Sequence, residues 1–164
     1  MKANVEAIIA LDENYGMAKN GTIPWKNRED MKFFKKKTIE NIVVMGSKTL
    51  LSLPNQAPLG NRYNIILTNN KEYFSEKYSD YDNIIFYNYD ELMNYINNVE
   101  TDKTIYIIGG KQVYDLLIPI CSKIWMSIIE GNYDCDLRLK LNLENYNIVQ
   151  QPAETFMLYC LYLL

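Results

Sequence analysis

Asp30 stands five residues after Trp25 of the dipeptide Pro24-Trp25, and Phe33 and Phe34 follow it three and four positions on. On a helix that spacing sets a carboxylate on the same face as two aromatic rings, so burying the rings takes the acid partly out of water. A desolvated carboxyl keeps its proton to higher pH, which suits a group that helps to supply one near neutrality. The helix alone supports a plainer reading, a surface acid favoured in the first turn by the helix dipole. No histidine occurs in the chain. That removes serine and cysteine triads of the usual kind, histidine-ligated metals and imidazole acid-base chemistry. Proton transfer is left to a carboxylate, a tyrosine, a lysine or water. The cysteines, Cys121, Cys135 and Cys160, are odd in number and lack paired spacing. They read as reduced structural thiols, with no disulfide framework and no metal site.

A second set of residues has the character of an anion cradle. Ile107-Ile108 runs into Gly109-Gly110, Val44-Met45 into Gly46-Ser47-Lys48-Thr49, and Ile66-Leu67 into Thr68-Asn69-Asn70. Glycine after a strand lets backbone approach an anion, and a helix behind it offers unpaired N–H groups. A dinucleotide fits across all three strand ends, where ligands of parallel sheets bind. Taken singly, each is equally a tight connection. Gly46-Ser47-Lys48-Thr49 has the form of a P-loop tail, but no glycine stands upstream at the required spacing, where the chain reads Asn41-Ile42. An ATPase is therefore excluded.

These groups need a frame. Val5 to Leu11, Ile42 to Met45, Tyr63 to Leu67, Ile84 to Phe86 and Thr104 to Ile108 are β-rich runs. Several lead into stretches of helical period, clearest over Asp90 to Val99 and over Lys111 to Ile118, which Pro119 stops. Late strands are expected over Lys123 to Ile129 and Thr155 to Leu163, with no helix between them. The alternation predicts a single α/β domain over residues 1–164, with a mostly parallel central sheet, helices on both faces and a C-terminal antiparallel edge hairpin. Leu53 to Gly60 is a turn-rich loop within it. The 164 residues are enough for one domain with an enclosed pocket. A net charge of −3 with scattered lysines offers no basic stripe for nucleic acid. No apolar run approaches bilayer length, and the N-terminal stretch lacks a leader's apolar core, so no membrane association and a cytoplasmic location are expected.

The combination is more specific than its parts. Ile8-Ile9-Ala10, Gly-Met-Ala-Lys-Asn-Gly-Thr-Ile-Pro-Trp, Asp30 with Phe34 and Thr38 on one helix, Val-Met-Gly-Ser-Lys-Thr, Arg-Tyr-Asn-Ile-Ile-Leu-Thr and Ile-Ile-Gly-Gly-Lys-Gln-Val-Tyr together resemble dihydrofolate reductase, in order and spacing from about Val5 to Ser127. The resemblance implies hydride transfer from NADPH to C6 of dihydrofolate and proton delivery to N5. Asp30 would hold the pteridine edge and promote that protonation through water. Trp25 would pack beside the ring and hold the water, Ser127 would bond the acid, and Tyr114 would lie next to the nicotinamide. Ile8, Met31, Phe34, Leu53, Leu59 and Ile108 would wall the substrate, and Arg62 would clamp the carboxylate of its glutamate tail. Ala10, Met17 and Ile23 would border the nicotinamide. Gly46, Ser47, Lys48 and Thr49 with Gly109, Gly110, Lys111, Gln112 and Val113 would take the pyrophosphate, and Thr68 with Asn69 the adenosine end. Gly16 to Ile23 would form a closing flap. A monomer is the default expectation, and whether thymidylate synthase is a pathway neighbour stays open.

The chain departs from the family's pattern in places. Ser47 stands where arginine or lysine is common and Gln112 where some members have arginine, which weakens the grip on a 2′-phosphate and leaves the choice between NADPH and NADH open; Lys48 and Lys71 are the nearest compensating charges. Ala18 replaces a flap glycine and Leu50 a common tryptophan. Two alternatives stay open: a riboflavin-pathway pyrimidine reductase of the same fold, against which Arg62 and the Asp30 helix speak, and a non-catalytic binding or structural module.

Overall fold

A computed structural model describes residues 3–163. Met1 and Lys2, part of the N-terminal stretch read above, lie outside the described residues. In chain order the elements are β1 (Val5–Asp12), β2 (Gly16–Ala18), α1 (Arg28–Thr38), β3 (Ile42–Gly46), α2 (Ser47–Ser52), β4 (Tyr63–Leu67), α3 (Lys71–Lys77), β5 (Ile84–Tyr87) and α4 (Tyr89–Asn98). There follow β6 (Ile105–Ile107), α5 (Lys111–Leu117), β7 (Lys123–Ile129), β8 (Leu137–Arg138), β9 (Tyr146–Pro152) and β10 (Phe156–Leu163). No helix of the described residues is long and apolar enough to cross a membrane.

Two units are distinct. The first holds the N-terminal residues through Glu6 with Thr38–Cys121, and the second holds Ala7–Lys37 with Ser122 onward. In the first, strands that are apolar on both faces pair in parallel in the order β5-β4-β3-β6, with Ile42 opposite both Tyr63 and Ile105 and Ile65 opposite Ile85. That composition fits strands covered on both sides, and Val43, Val44, Met45, Ile65, Ile66, Ile105 and Ile107 are all buried. A Phe74, Tyr78 and Phe86 cluster closes the unit under α3, with ring centroids 5.6 and 5.7 Å from Phe86. Asn64, buried on β4, folds the preceding turn onto itself: its Oδ1 accepts from Leu59 N–H, and its amide donates to the Leu59 and Arg62 carbonyls. α4 opens on a reciprocal Asn88–Glu91 capping box.

In the second unit β10 pairs antiparallel with β7, Leu158 facing Ser127, and with β9, Cys160 facing Val149. The two late runs pair as expected, and β9 lies outside them as the outermost strand. The sequence concealed β9 because Tyr146-Asn-Ile-Val-Gln-Gln-Pro152 is polar and mostly exposed, without the alternation a half-buried strand shows. The short pair β2 and β8 was hidden because three and two residues are too few to show a period, and α3 by its polar residues. Ile129, Phe156 and Leu158 form the local core, with Trp25, Phe33, Trp125 and Tyr133 packed on it.

Candidate active site

The second unit builds the acid site from the start of α1. Asn27 caps the helix, its side-chain oxygen accepting from Asp30 N–H at 2.9 Å and its carbonyl from Met31 N–H at 3.0 Å. Glu29 ties the same turn to the β9–β10 connection, accepting from Thr155 N–H and Oγ at 2.9 and 2.7 Å and from Glu154 N–H at 3.2 Å. With its helix end pinned, Asp30 is half-buried and Ser127, buried on β7, donates its hydroxyl to Oδ1 at 2.6 Å. Burial raises the Asp30 carboxyl above its ordinary value; the Ser127 bond draws it back, and the neighbouring Glu29 charge adds to the rise.

The aromatic surroundings divide. Phe33 turns into the core against Trp125 and Phe156, with centroids at 6.1 and 6.4 Å. Phe34 is half-buried, while Met31 stands 58% exposed and Ile23 62% exposed. Those two residues are thus apolar side chains in solvent rather than parts of the core. Trp25 packs on Tyr133, ring centroids 5.5 Å apart, at the edge of the local core. Ile8 is buried on β1, and Ala10 and Met17 are half-buried.

The first unit gathers the glycines. Gly46 N–H donates to Gly109 O at 2.9 Å, joining the ends of β3 and β6. A methyl on Gly46 would stand 3.2 Å from Val113 Cγ2, one on Gly109 3.3 Å from the Tyr114 ring, and one on Gly110 3.5 Å from Thr49 Oγ1. Gly109 also sits at φ +124°, which a side chain rarely tolerates. α2 and α5 begin behind Gly46 and Gly110 with no side-chain cap. The donor set therefore fits the phosphates of a nucleotide cofactor: close-approach backbone and uncapped first turns, with Ser47, Thr49 and Gln112 beside them. Tyr114 is buried over Gly109.

The charges are more committed than their residue types implied. Lys71 is held by Glu91 at 2.6 Å and Lys111 by Asp115 at 2.9 Å, so of the two compensating lysines Lys71 is occupied, whereas Lys48 is exposed. Thr68 accepts from Asn70 N–H at 3.0 Å and shapes the turn into α3, and Asn69 beside it is exposed. Arg62 spends Nε on Gly60 O at 2.9 Å and Nη1 on Thr38 Oγ at 3.0 Å, which fixes the guanidinium plane, and burial lowers its pKa. Leu53, Leu59 and Ile108 are half-buried. Asn27, Glu29, Thr155, Asn64 and Tyr133 support these groups and were not singled out by the sequence. The only signal among them was Asn27 three residues before Asp30, a capping spacing.

A parallel sheet with glycine cradles at its strand ends, together with the half-buried Asp30 carboxylate that Ser127 bonds and no histidine, defines an α/β protein equipped for a nucleotide cofactor and acid-assisted chemistry. The comparisons supply the family. The family model described as dihydrofolate reductase matches residues 4–156. Dihydrofolate reductase of Ureaplasma parvum serovar 3 is 31% identical over 140 residues, covering 85% of this chain and 84% of its own. That of Mycoplasma pneumoniae is 32% identical over 155 residues, covering 90% and 89%. Among solved structures, dihydrofolate reductase from Enterococcus faecalis complexed with NADP(H) and RAB-propyl is 27% identical with a TM-score of 0.80, covering 99% of this chain and 97% of that one. The chain belongs to the dihydrofolate reductase family.

Proposed function

We propose that this chain reduces 7,8-dihydrofolate to 5,6,7,8-tetrahydrofolate with NADPH as hydride donor. The observation that carries the reading is the Asp30 carboxyl, pinned in a first helical turn, bonded by Ser127 and raised by burial in a chain without histidine. NADPH supplies the hydride when bound. Gly46, Ser47, Lys48, Thr49, Gly109, Gly110, Lys111, Gln112 and Val113 grip its phosphates, Thr68 and Asn69 its adenosine end, and Tyr114 with Ala10, Met17 and Ile23 borders its nicotinamide. Asp30 anchors the pterin's amino and ring-nitrogen edge and promotes protonation at N5 through water held by Trp25. Ile8, Met31, Phe34, Leu53, Leu59 and Ile108 enclose the substrate, and Gly16 to Ile23 acts as the flap that excludes bulk water. Residues 1–164 act as one domain, and the working form is a cytoplasmic monomer. Mixing the protein with NADPH and dihydrofolate tests the reading at the nicotinamide absorbance band: substrate-dependent loss of absorbance is expected, and its absence from acid to neutral pH overturns the proposal.

Arg62 is assigned to the glutamate-tail carboxylate because its free guanidinium edge presents donors in a fixed plane. Arg62→Lys is expected to raise KM for dihydrofolate by about tenfold or more with kcat nearly unchanged, since a charge-assisted hydrogen bond contributes about 1.5–3 kcal/mol. Steady-state kinetics with a substrate lacking the glutamate carboxylates checks the assignment, because there the two proteins should agree.

With Lys71 held by Glu91, Ser47 marks the gap in the 2′-phosphate grip. Ser47→Arg is expected to shift the ratio of kcat/KM for NADPH over NADH upward by about tenfold, the equivalent of one bidentate contact. An unchanged ratio places the 2′-phosphate elsewhere.

A further inference from the structure

Asp12, the last residue of β1, is 1% exposed and takes no part in the chemistry assigned above. Its Oδ1 accepts from Asn14 N–H at 2.9 Å and Gly16 N–H at 2.8 Å. Its Oδ2 accepts from Tyr133 N–H at 3.1 Å and from the Cys135 thiol at 3.5 Å. A carboxylate offers about four acceptor positions, so these donors use the group fully. Burial alone pushes the carboxyl up, and the N–H groups of Gly16, Tyr133 and Asn14 with the Cys135 thiol together overcome it, leaving the acid below its usual range.

The donors come from two segments. Asn14 and Gly16 open the chain into the flap, and Tyr133 and Cys135 lie between β7 and β8. The same segments also meet through Glu13 N–H to Gly131 O at 3.1 Å, Leu139 N–H to Tyr15 O at 3.0 Å, the β2–β8 pairing, and Asn20 N–H to the exposed Asp136 carboxylate at 2.9 Å. Asp12 differs from these because it is a buried charge reaching both segments at once, where breaking one half leaves the other unpaired. Gly16 is shaped to it: a methyl there would lie 2.9 Å from Asp12 Oδ2. The Tyr133 ring that Asp12 fixes by its backbone is the ring on which Trp25 packs.

We propose that Asp12 is a positioning residue for the reduction, a buried carboxylate that fixes the base of the Gly16–Ile23 flap and, through Tyr133, the indole of Trp25. The inference rests on the roles given above to the flap and to Trp25. Its alternative is a purely structural bond that holds the fold and leaves the site indifferent.

Asp12→Asn separates the two. The amide keeps one acceptor oxygen for one pair of donors and turns its own N–H groups toward the other pair, so residue 12 can no longer hold both segments. In a Trp125→Phe background, which leaves Trp25 as the remaining indole, Asp12→Asn is expected to lower kcat by about 10–100-fold with KM for dihydrofolate within about twofold, the signature of misplacement rather than lost binding. Trp25 should also become more accessible to acrylamide quenching. A folded variant with parental kcat, or with lowered kcat and unchanged Trp25 quenching, overturns the proposal. Should Asp12→Asn fail to fold, Tyr133→Leu carries the test. It keeps the backbone N–H on Asp12 and removes only the ring against Trp25, and it is expected to move kcat and quenching in the same directions; parental values of either overturn the proposal. An inactive parent sinks the reductase reading, and the positioning role with it; an active parent with an indifferent Asp12→Asn sinks this inference alone.

Discussion

Asp30→Asn is expected to lower kcat at neutral pH by about 10²–10⁴-fold, the usual contribution of a positioned acid or base, while leaving the Kd for NADPH within about twofold. An amide fills the same volume and still accepts the Ser127 hydroxyl, but it neither titrates nor carries charge toward the substrate. The parent's rate should fall as pH rises through the raised Asp30 pKa, because the protonated carboxyl is lost there, and the variant's residual rate should be flat over that range. The parent's stability should fall over the same range. An unfolded aspartate titrates near 3.9, and burial sets the folded value above that. Below the unfolded value the group is protonated in both states and costs nothing. Between the two values the folded protein holds the extra proton, so stability falls as pH rises, and above the folded value the whole cost is present. Asp30→Asn removes that cost. The variant should melt higher than the parent at pH 8, each kcal/mol of relief reading as about 2–4 °C in Tm, with a smaller gain at pH 4. Equal gains at the two pH values would show that ionisation of Asp30 is not what the fold opposes.

Gly16→Ala is expected to be the most damaging single methyl in the second unit. The added carbon would lie 2.5 Å from Cys135 Cβ, 2.6 Å from its Sγ and 2.9 Å from Asp12 Oδ2. Cβ is fixed to backbone and cannot swing aside, and Asp12 is held by its own donors, so the strain must open the junction between β2 and the segment before β8. Overpacking of this kind costs about 1–3 kcal/mol, a Tm loss of about 2–12 °C at this chain length. Cys135→Gly in the same chain removes both close atoms. The pair should therefore recover most of the loss that Gly16→Ala causes, measured as a double-mutant cycle on chemical denaturation midpoints. Additive losses would mean that the two residues do not share the space.

What the sequence made legible follows from which forces act locally. Parallel strands buried on both faces must be apolar, so β3, β4 and β6 could be read as runs. Gly109-Gly110 and Gly46 could be read because glycine between a strand and a helix is a local signal, and at Gly109 the φ of +124° is one that a side chain rarely tolerates. Asp30 could be read from its spacing to Phe33 and Phe34 on one helix, whereas the Ser127 hydroxyl that bonds it comes from 97 positions along the chain. β9 could not, since an exposed strand is under no such compositional demand. The bonds from Glu29 to Thr155 and from Asp12 to Tyr133 join residues 126 and 121 positions apart, and no spacing announces them. The pairing of Lys71 with Glu91 likewise ties an apparent cofactor charge to the acid of the Asn88–Glu91 capping box, 20 positions along the chain, which no local spacing announces.

β9 has a consequence for handling the protein. Its outer edge has no strand partner among the described residues, it carries no charged side chain from Tyr146 to Pro152, and Ile148 and Val149 are exposed on its opposite faces. Natural sheets usually guard such a rim with lysine, a bulge or a very short strand. Here the guard is only Pro152 at the end and the pair of glutamines before it. Colloidal behaviour at high concentration should therefore be governed by this rim, and Val149→Lys is expected to lower the light scattering of a concentrated stock.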